Sequence, residues 1–438
     1  MIQAGFGRLD ITHPLGSPVD GYFRDRRAKG YLDPLELNAI ALSDGEERAV
    51  LIAGDFLGVD MADVKVIKGL ITERLGLAED HVFISALHQH TSIFLRHYKA
   101  RNLPESYADV LYRKFADVAK LALDDLADAT MYSGAREVAE PIAFVRRYHM
   151  PNGKVATNPN KDLGTPLRPC DEADNTARFL RFAREGKADI VLINFSTHPD
   201  VIGGEYFSAD WPGFARRMVE REVPNTACLF FTGAEGDSNH VNFMKPEEER
   251  FPCGKGYAHS RFMGRQVADA VIAALPDATP HADGKLHIAM TTIYNKSNTT
   301  GEEKYEECKA FYEAFQAHQL GYKPTGEQLA FARRVIHIRE EMGVYRPLPV
   351  SVLQLSDVVI AGFAGEPFAD YGSEVRRVAG DKFALTFCLT NGYQGYLPHA
   401  RAFEEGGYEA ANSHFTPTLQ AEAIGAVEAL LASFEKGE

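Results

Sequence analysis

The chain has 438 residues, 45% of them hydrophobic, and carries a formal net charge of -14 at pH 7. That length is enough for one large α/β domain with insertions. With a pI of about 5.6 and no basic block, the composition excludes nucleic acid and anionic membrane as natural partners.

Met1 to Gly7 has neither the charged n-region nor the apolar h-region of a secretory signal, and no apolar run reaches membrane-spanning length. Cys170, Cys228, Cys253, Cys308 and Cys388 are scattered, without a Cys-x-x-Cys. The set suits a reducing cytoplasm and argues against a thiolate metal site. Residues 1–47 read as short strands and turns. Gly5 to Ile11 alternates, Leu37 to Leu42 is an apolar run, and Asp44-Gly45 is a hairpin turn. A βαβ pattern follows: the apolar strand Arg48 to Gly54 ends at Asp55, Met61 to Leu75 has helical spacing, and Val82 to Leu87 is the second strand. That strand runs into His88-Gln89-His90. In extended chain the i, i+2 spacing puts both imidazoles on one side. Asp55 and His88 then lie at carboxyl ends of parallel strands, where open α/β sheets bind ligands.

Glu105 to Ala127 is an amphipathic helix, and a strand follows near Met131. Phe144 to Tyr148 leads into a long Asn-, Pro- and Gly-rich loop through Asp174, which reads as functional or as a lid. Ala188 to Phe195 is a buried strand ending in Ser196-Thr197-His198-Pro199. Pro212 to Glu222 is a helix, Ala227 to Phe231 a strand, and Tyr257 to Leu275 a helix. Lys285 to Asn295 alternates as an antiparallel strand. The polar helices Glu302 to Phe315 and Gly326 to Met342 read as an excursion that caps the core or, alternatively, as the dimer arm of a homo-oligomer. Pro349 to Leu355 and Val358 to Phe363 pair across Ser356-Asp357, and the second leads to Gly365-Glu366-Pro367. Phe383 to Leu389 enters a segment containing Tyr393 and Tyr396, and Leu419 to Phe434 closes the chain as a helix. The predicted fold class is α/β: a mixed, largely parallel sheet flanked by helices, with the active site at strand carboxyl ends. The whole of 1–438 reads as one domain with a helical excursion near 300–345.

Strand ends therefore offer His88 and His90, His198, Glu366 and Tyr396. Two neutral imidazoles, a carboxylate and a phenol oxygen form a borderline N/O set that zinc matches best, with room for a water. A water activated in this way attacks carbonyls near neutral pH. The alternative for each residue taken singly is ordinary: surface histidines, a capping glutamate, a packed turn tyrosine. Spacing alone leaves both readings open.

Taken in order, the motifs resemble the catalytic domain of the neutral (alkaline, non-lysosomal) ceramidase family. They are Gly-x-Gly-Arg-x-Asp-Ile-Thr at Gly5 to Thr12, Gly21-Tyr22, Asp33-Pro34-Leu35, His88-x-His90, Arg146, Thr197-His198, Gly236-Asp237, Gly365-Glu366-Pro367, Gly392-Tyr393 to Tyr396, and Glu405-Gly406-Gly407-Tyr408-Glu409. The resemblance implies zinc held by His88, His198, Glu366 and Tyr396. It implies that His90 handles protons and that Tyr408 and Arg146 flank the reacting carbonyl, with Arg147 the neighbouring candidate. The chain departs from the pattern at Thr91 to Phe94, where the family has Ser-Gly-Pro-Gly. It departs again after Asp237, where the family serine proposed to act in amide cleavage is displaced and Ser238 stands one place early. No counterpart of the family's C-terminal immunoglobulin-like domain is present in these residues.

The expected activity is thus a cytoplasmic zinc-dependent hydrolase of an amide (N-acyl) or ester bond, acting on a small carbonyl substrate rather than membrane ceramide. It has no stable membrane association. Alternatives are a metal-dependent lyase or esterase acting on an acidic sugar, which the Arg146-Arg147 doublet would suit, and a non-catalytic metal-binding protein. Asp55 and Asp210 read either as carboxylates that orient the histidines or as cap or turn residues, and Trp211 reads as a packing residue.

Overall fold

A computed structural model describes residues 1–95, 105–251, 254–341 and 343–436; Cys253 and Met342 lie outside them. The main sheet contains β1 (Gln3–Asp10), β2 (Glu36–Ser43), β3 (Arg48–Gly54), β4 (Val82–Ala86), β5 (Ala127–Glu137), β6 (Thr176–Arg184), β7 (Asp189–Phe195) and β8 (Thr226–Thr232). Its spatial order is β8-β7-β6-β5-β1-β2-β3-β4, with Thr279–Pro280 pairing on β5. A second sheet orders β9 (Leu286–Lys296), β10 (Tyr345–Leu355), β11 (Val358–Phe363) and β12 (Phe383–Phe387) in sequence.

The α/β class and the mixed sheet flanked by helices are as expected. The sheet is not largely parallel, however. Only β3/β4 and β7/β8 in the main sheet, and β11/β12 in the second, run parallel. The cause lies in the connections. Strands joined by tight turns pair antiparallel, as β2 and β3 do across Gly45 (φ 97). A helical crossover returns the chain in the same direction, and the sequence has three: Met61–Leu75, Asp210–Glu222 and Ala369–Ala379. The first is punctuated clearly. The Asp60 side chain accepts from the Asp63 N–H at its start, and Gly76 (φ 67) ends it. The parallel strands are the continuous apolar runs, with β4 buried throughout.

The two edges of the main sheet approach each other. The segment after β12 is bonded between them: Cys388 N–H donates to Thr232 O (3.0 Å), Ala86 N–H to Leu389 O (3.3 Å) and Asn391 N–H to Ile84 O (2.7 Å). The Thr232 hydroxyl reaches across to Leu87 O at 2.9 Å. The ends of β4, β8 and β12 therefore meet, with β7 beside β8 and β11 beside β12. The segment expected as a long loop after Tyr148 instead forms a small sheet of Arg147–His149, Val155–Thr157 and Arg168–Pro169. The helical excursion comprises Tyr305–Gln316 and Gly326–Glu341, which share an apolar cluster of Cys308, Ala332 and Val335. Among the described residues no helix is long and apolar enough to cross a membrane.

Candidate metal centre

Three of the predicted residues converge at the meeting point of the strand ends. After β4 the chain turns at His88, whose φ of 74 is left-handed, a conformation that costs a non-glycine residue energy. The turn is held because Leu87 N–H donates to Gly54 O (3.0 Å) and His88 N–H to Phe56 O (2.9 Å). The imidazole Nδ1 sits 2.7 Å from Leu57 O. His198, after β7, has its Nδ1 2.9 Å from Glu235 O and 3.0 Å from Ser238 O. A nitrogen facing carbonyl oxygens must carry the proton, so both rings present a bare Nε2 lone pair on the other side.

Those lone pairs point at Glu366. Its Oε2 lies 3.5 Å from His88 Nε2 and 3.3 Å from His198 Nε2. Oε1 accepts from the Tyr393 hydroxyl at 3.0 Å, while Oε2 is buried without a hydrogen-bond partner. Burial alone would raise the carboxyl pKa, but His88, His198 and Arg146 bring it down to about 2. Burial, followed by the Arg146 charge, lowers His198 to about 3. A carboxylate oxygen and two ring nitrogens thus converge on one point. A divalent cation fits that donor set, and the Nδ1–carbonyl bonds are the outer contacts that orient metal-binding histidines. No metal identity follows from the geometry.

The other predicted residues surround this centre. His90 Nε2 is 3.3 Å from His88 Nε2, and its Nδ1 is 3.6 Å from Asp200 Oδ1. Burial and then His88 hold its pKa well below the ordinary value. Tyr22 packs edge-on against His90 at 5.4 Å and hydrogen-bonds Asp200. Arg146 donates to Glu409 Oε1 (2.6 Å) and Gly236 O (2.8 Å), with Nη1 3.3 Å from His198 Nε2. Arg147 points the other way, to Glu405 Oε2 (3.1 Å) and Gly406 O (3.0 Å). The doublet thus resolves to Arg146 at the site and Arg147 in the scaffold. Tyr396 stacks 6.5 Å from the His198 ring and lies under the Arg146 guanidinium at 5.2 Å. Tyr408 meets Tyr396 edge-on at 5.6 Å. It is placed by Gly406 (φ 78) and Gly407 (φ 96), a left-handed pair that only glycine adopts without strain. Burial raises the Tyr408 phenol to about 12.

Ser238 is buried and close, but its hydroxyl lies 3.0 Å from Thr197 Oγ1 and 3.2 Å from Ser196 O, while its carbonyl faces His198. Asp55 touches no histidine. It pairs with Arg216 at 2.8 and 3.0 Å and accepts from the Gln89 amide at 2.7 Å, because a buried carboxylate needs a cation and the helix Asp210–Glu222 supplies one. Asp210 likewise misses the histidines and ties the backbone of Val201 and Ile202. Trp211 is fully buried as expected, and its indole N–H also holds His198 O at 3.3 Å. Sequence reasoning missed Glu235, which lies in the same buried group as His88, His198 and Glu366. It also missed the roles of Tyr393 and Asp200. Glu235 had a signal, since it follows β8 just as His198 follows β7.

Centre and fold together define an α/β scaffold carrying, at converging strand ends, a buried His/Glu group that could hold a metal ion. Among solved structures this chain resembles the neutral ceramidase from Pseudomonas aeruginosa, with a TM-score of 0.76 at 16% identity over 99% of this chain and 74% of that one. It also resembles a ceramidase complexed with C2, with a TM-score of 0.74 at 15% identity over 99% of this chain and 75% of that one. The fold is therefore neutral-ceramidase-like. No protein-family model matches the chain, and no curated protein does.

Proposed function

We propose that this protein is a zinc-dependent hydrolase of the ceramidase kind, cleaving an amide or ester bond in a small carbonyl substrate. The observation that carries the reading is the convergence of Glu366 Oε2 with the Nε2 atoms of His88 and His198, at 3.5 and 3.3 Å respectively. Zinc is the ion such an N/O set favours, and His88, His198 and Glu366 would hold it, with Tyr396 as the fourth group. When bound, zinc supplies Lewis acidity that polarises a carbonyl and activates water near neutral pH. His90 is neutral and adjacent, so it can take a proton from the attacking water and return it to the leaving group. Arg146 and Tyr408 are fixed donors suited to the developing oxyanion. Ser238 has its hydroxyl engaged with Thr197 and Ser196, which favours water over serine as nucleophile.

Elemental analysis of purified protein should find about one zinc per chain. His88→Ala and His198→Ala should each lose most of it and, with it, hydrolysis of N-acyl substrates. A protein that carries no zinc, takes none up and still hydrolyses its substrate would sink this reading.

A further inference from the structure

The helix Gly326–Glu341 is fastened to the wall of the site by one buried side chain. Arg334 donates to Ala411 O (2.7 Å), Asn298 O (2.8 Å) and Thr300 O (2.7 Å). Ala411 belongs to the short helix that begins at Tyr408. At the other end of the contact, a Cβ on Gly326 would lie 3.7 Å from the Tyr408 ring and 3.8 Å from Phe23. The residue next to this fastening in the chain, Arg333, lies on the same helix. Its guanidinium lies over the Phe23 ring at 5.7 Å, next to Tyr22, which flanks His90. Its charge also bears on Tyr393, Tyr408 and His414.

Arg333 differs from the other arginines of this region. Arg146 and Arg147 are buried and anchored to Glu409, Glu405 and backbone carbonyls. Arg333 is exposed, and among the described residues no carboxylate lies within ion-pair distance of it. An arginine placed over an aromatic ring and without a carboxylate partner has its N–H fork available to a planar anion. We infer that Arg333 is a specificity-determining residue that receives a carboxylate on the substrate. The substrate class is then an amide or ester bearing a carboxylate near the scissile bond, with N-acyl amino acids as the simplest members. Hydrolysis adds water across the C–N bond: hydroxyl goes to the acyl carbon and a proton to the departing amine. The inference rests on the hydrolase reading above, and it gives the helical excursion a task, that of carrying the selecting charge.

The test compares hexanoyl-glycine with hexanoyl-glycinamide, which share the scissile amide and differ only in the carboxylate, using zinc-loaded protein. Wild type should prefer the acid in kcat/KM by at least about fivefold, since a charge-assisted fork is strong but a rim position is screened. Arg333→Gln should bring that ratio near one, Arg333→Glu should invert it, and Arg333→Lys should keep part of it, each with unchanged zinc content. Raising the salt should narrow the wild-type preference. An unchanged ratio in Arg333→Gln overturns the assignment. Calorimetric binding of the same two compounds separates this inference from its premise. If neither compound is cleaved but the acid still binds tighter, and loses that advantage in Arg333→Gln, the hydrolase reading fails and the role of Arg333 stands. Equal binding of acid and amide to wild type overturns the role of Arg333 whatever happens to turnover.

Discussion

Tyr396 and Tyr408 stand edge-to-face 5.6 Å apart, yet they are assigned different work. If the Tyr396 oxygen belongs to the metal group, Tyr396→Phe should lower zinc affinity first and turnover as a consequence. If Tyr408 donates to charge that exists only in the transition state, Tyr408→Phe should leave zinc and substrate binding nearly unchanged. It should lower kcat by roughly a hundredfold, the usual effect of losing one oxyanion donor. Zinc content and kcat measured on both variants distinguish the roles, and mild, equal effects would remove both tyrosines from the chemistry. The local sequence predicts the placement of Tyr408, because Gly406-Gly407 signals a backbone turn before it. It does not predict the left-handed turn at His88. There the i, i+2 spacing was read as extended chain, whereas the strand ends at Ala86 and tertiary hydrogen bonds impose the turn.

At the scale of elements, the site depends on how closely the loops after β8 and β11 approach. Gly236 sits where a Cβ would come 2.3 Å from Glu366 O and 3.0 Å from its carbonyl carbon. These are backbone atoms and cannot swing aside. Gly236→Ala should therefore push Glu366 away from the histidines. The expected result is a folded protein whose zinc affinity falls by at least about tenfold, with a loss of stability in the overpacking range of roughly 1–3 kcal/mol. Wild-type zinc affinity in the variant would show that the loops have slack. The βαβ units were legible because long apolar runs separated by helical spacing leave few alternatives. Which strands run parallel across the whole sheet was not, because the central pairings join segments far apart in sequence. The role of Asp55 was not legible for a related reason: a carboxylate at a strand end looks the same whether its partner is a histidine or, as here, Arg216 from another helix.

At the scale of the molecule, buried neutral histidines make stability depend on pH. His13, packed among Phe56, Tyr107 and Phe207, and His198 are both lowered by burial from 6.5 to about 3. Between those values an unfolded histidine binds a proton that the folded one refuses. The unfolded chain then holds more protons, so stability falls as the pH drops through that window. The slope is about 1.4 kcal/mol per pH unit for each fully linked histidine. Glu366, lowered from 4.5 to about 2, adds stability above its unfolded pKa that is lost as acid approaches the folded one. Urea unfolding of the zinc-free protein should give midpoints that decline from about pH 6.5 to about pH 4.5. His13→Phe should reduce the slope, and a midpoint constant across that range would contradict the buried neutral histidines.

The segment Cys388–Asn391, bonded to both edges of the main sheet, has a consequence for the order of assembly. The donors at His88, His198 and Glu366 come from three separate crossover units, and they face one another only once that segment joins β4 to β8. A half-formed chain has no site to offer. An ion that binds only the closed form stabilises it by mass action, by about 2.7 kcal/mol at a free concentration one hundred times its dissociation constant. A metal held there would act as a latch on the finished topology. Such a latch would slow opening more than it speeds closing, because closure across long chain separations must occur before the latch exists.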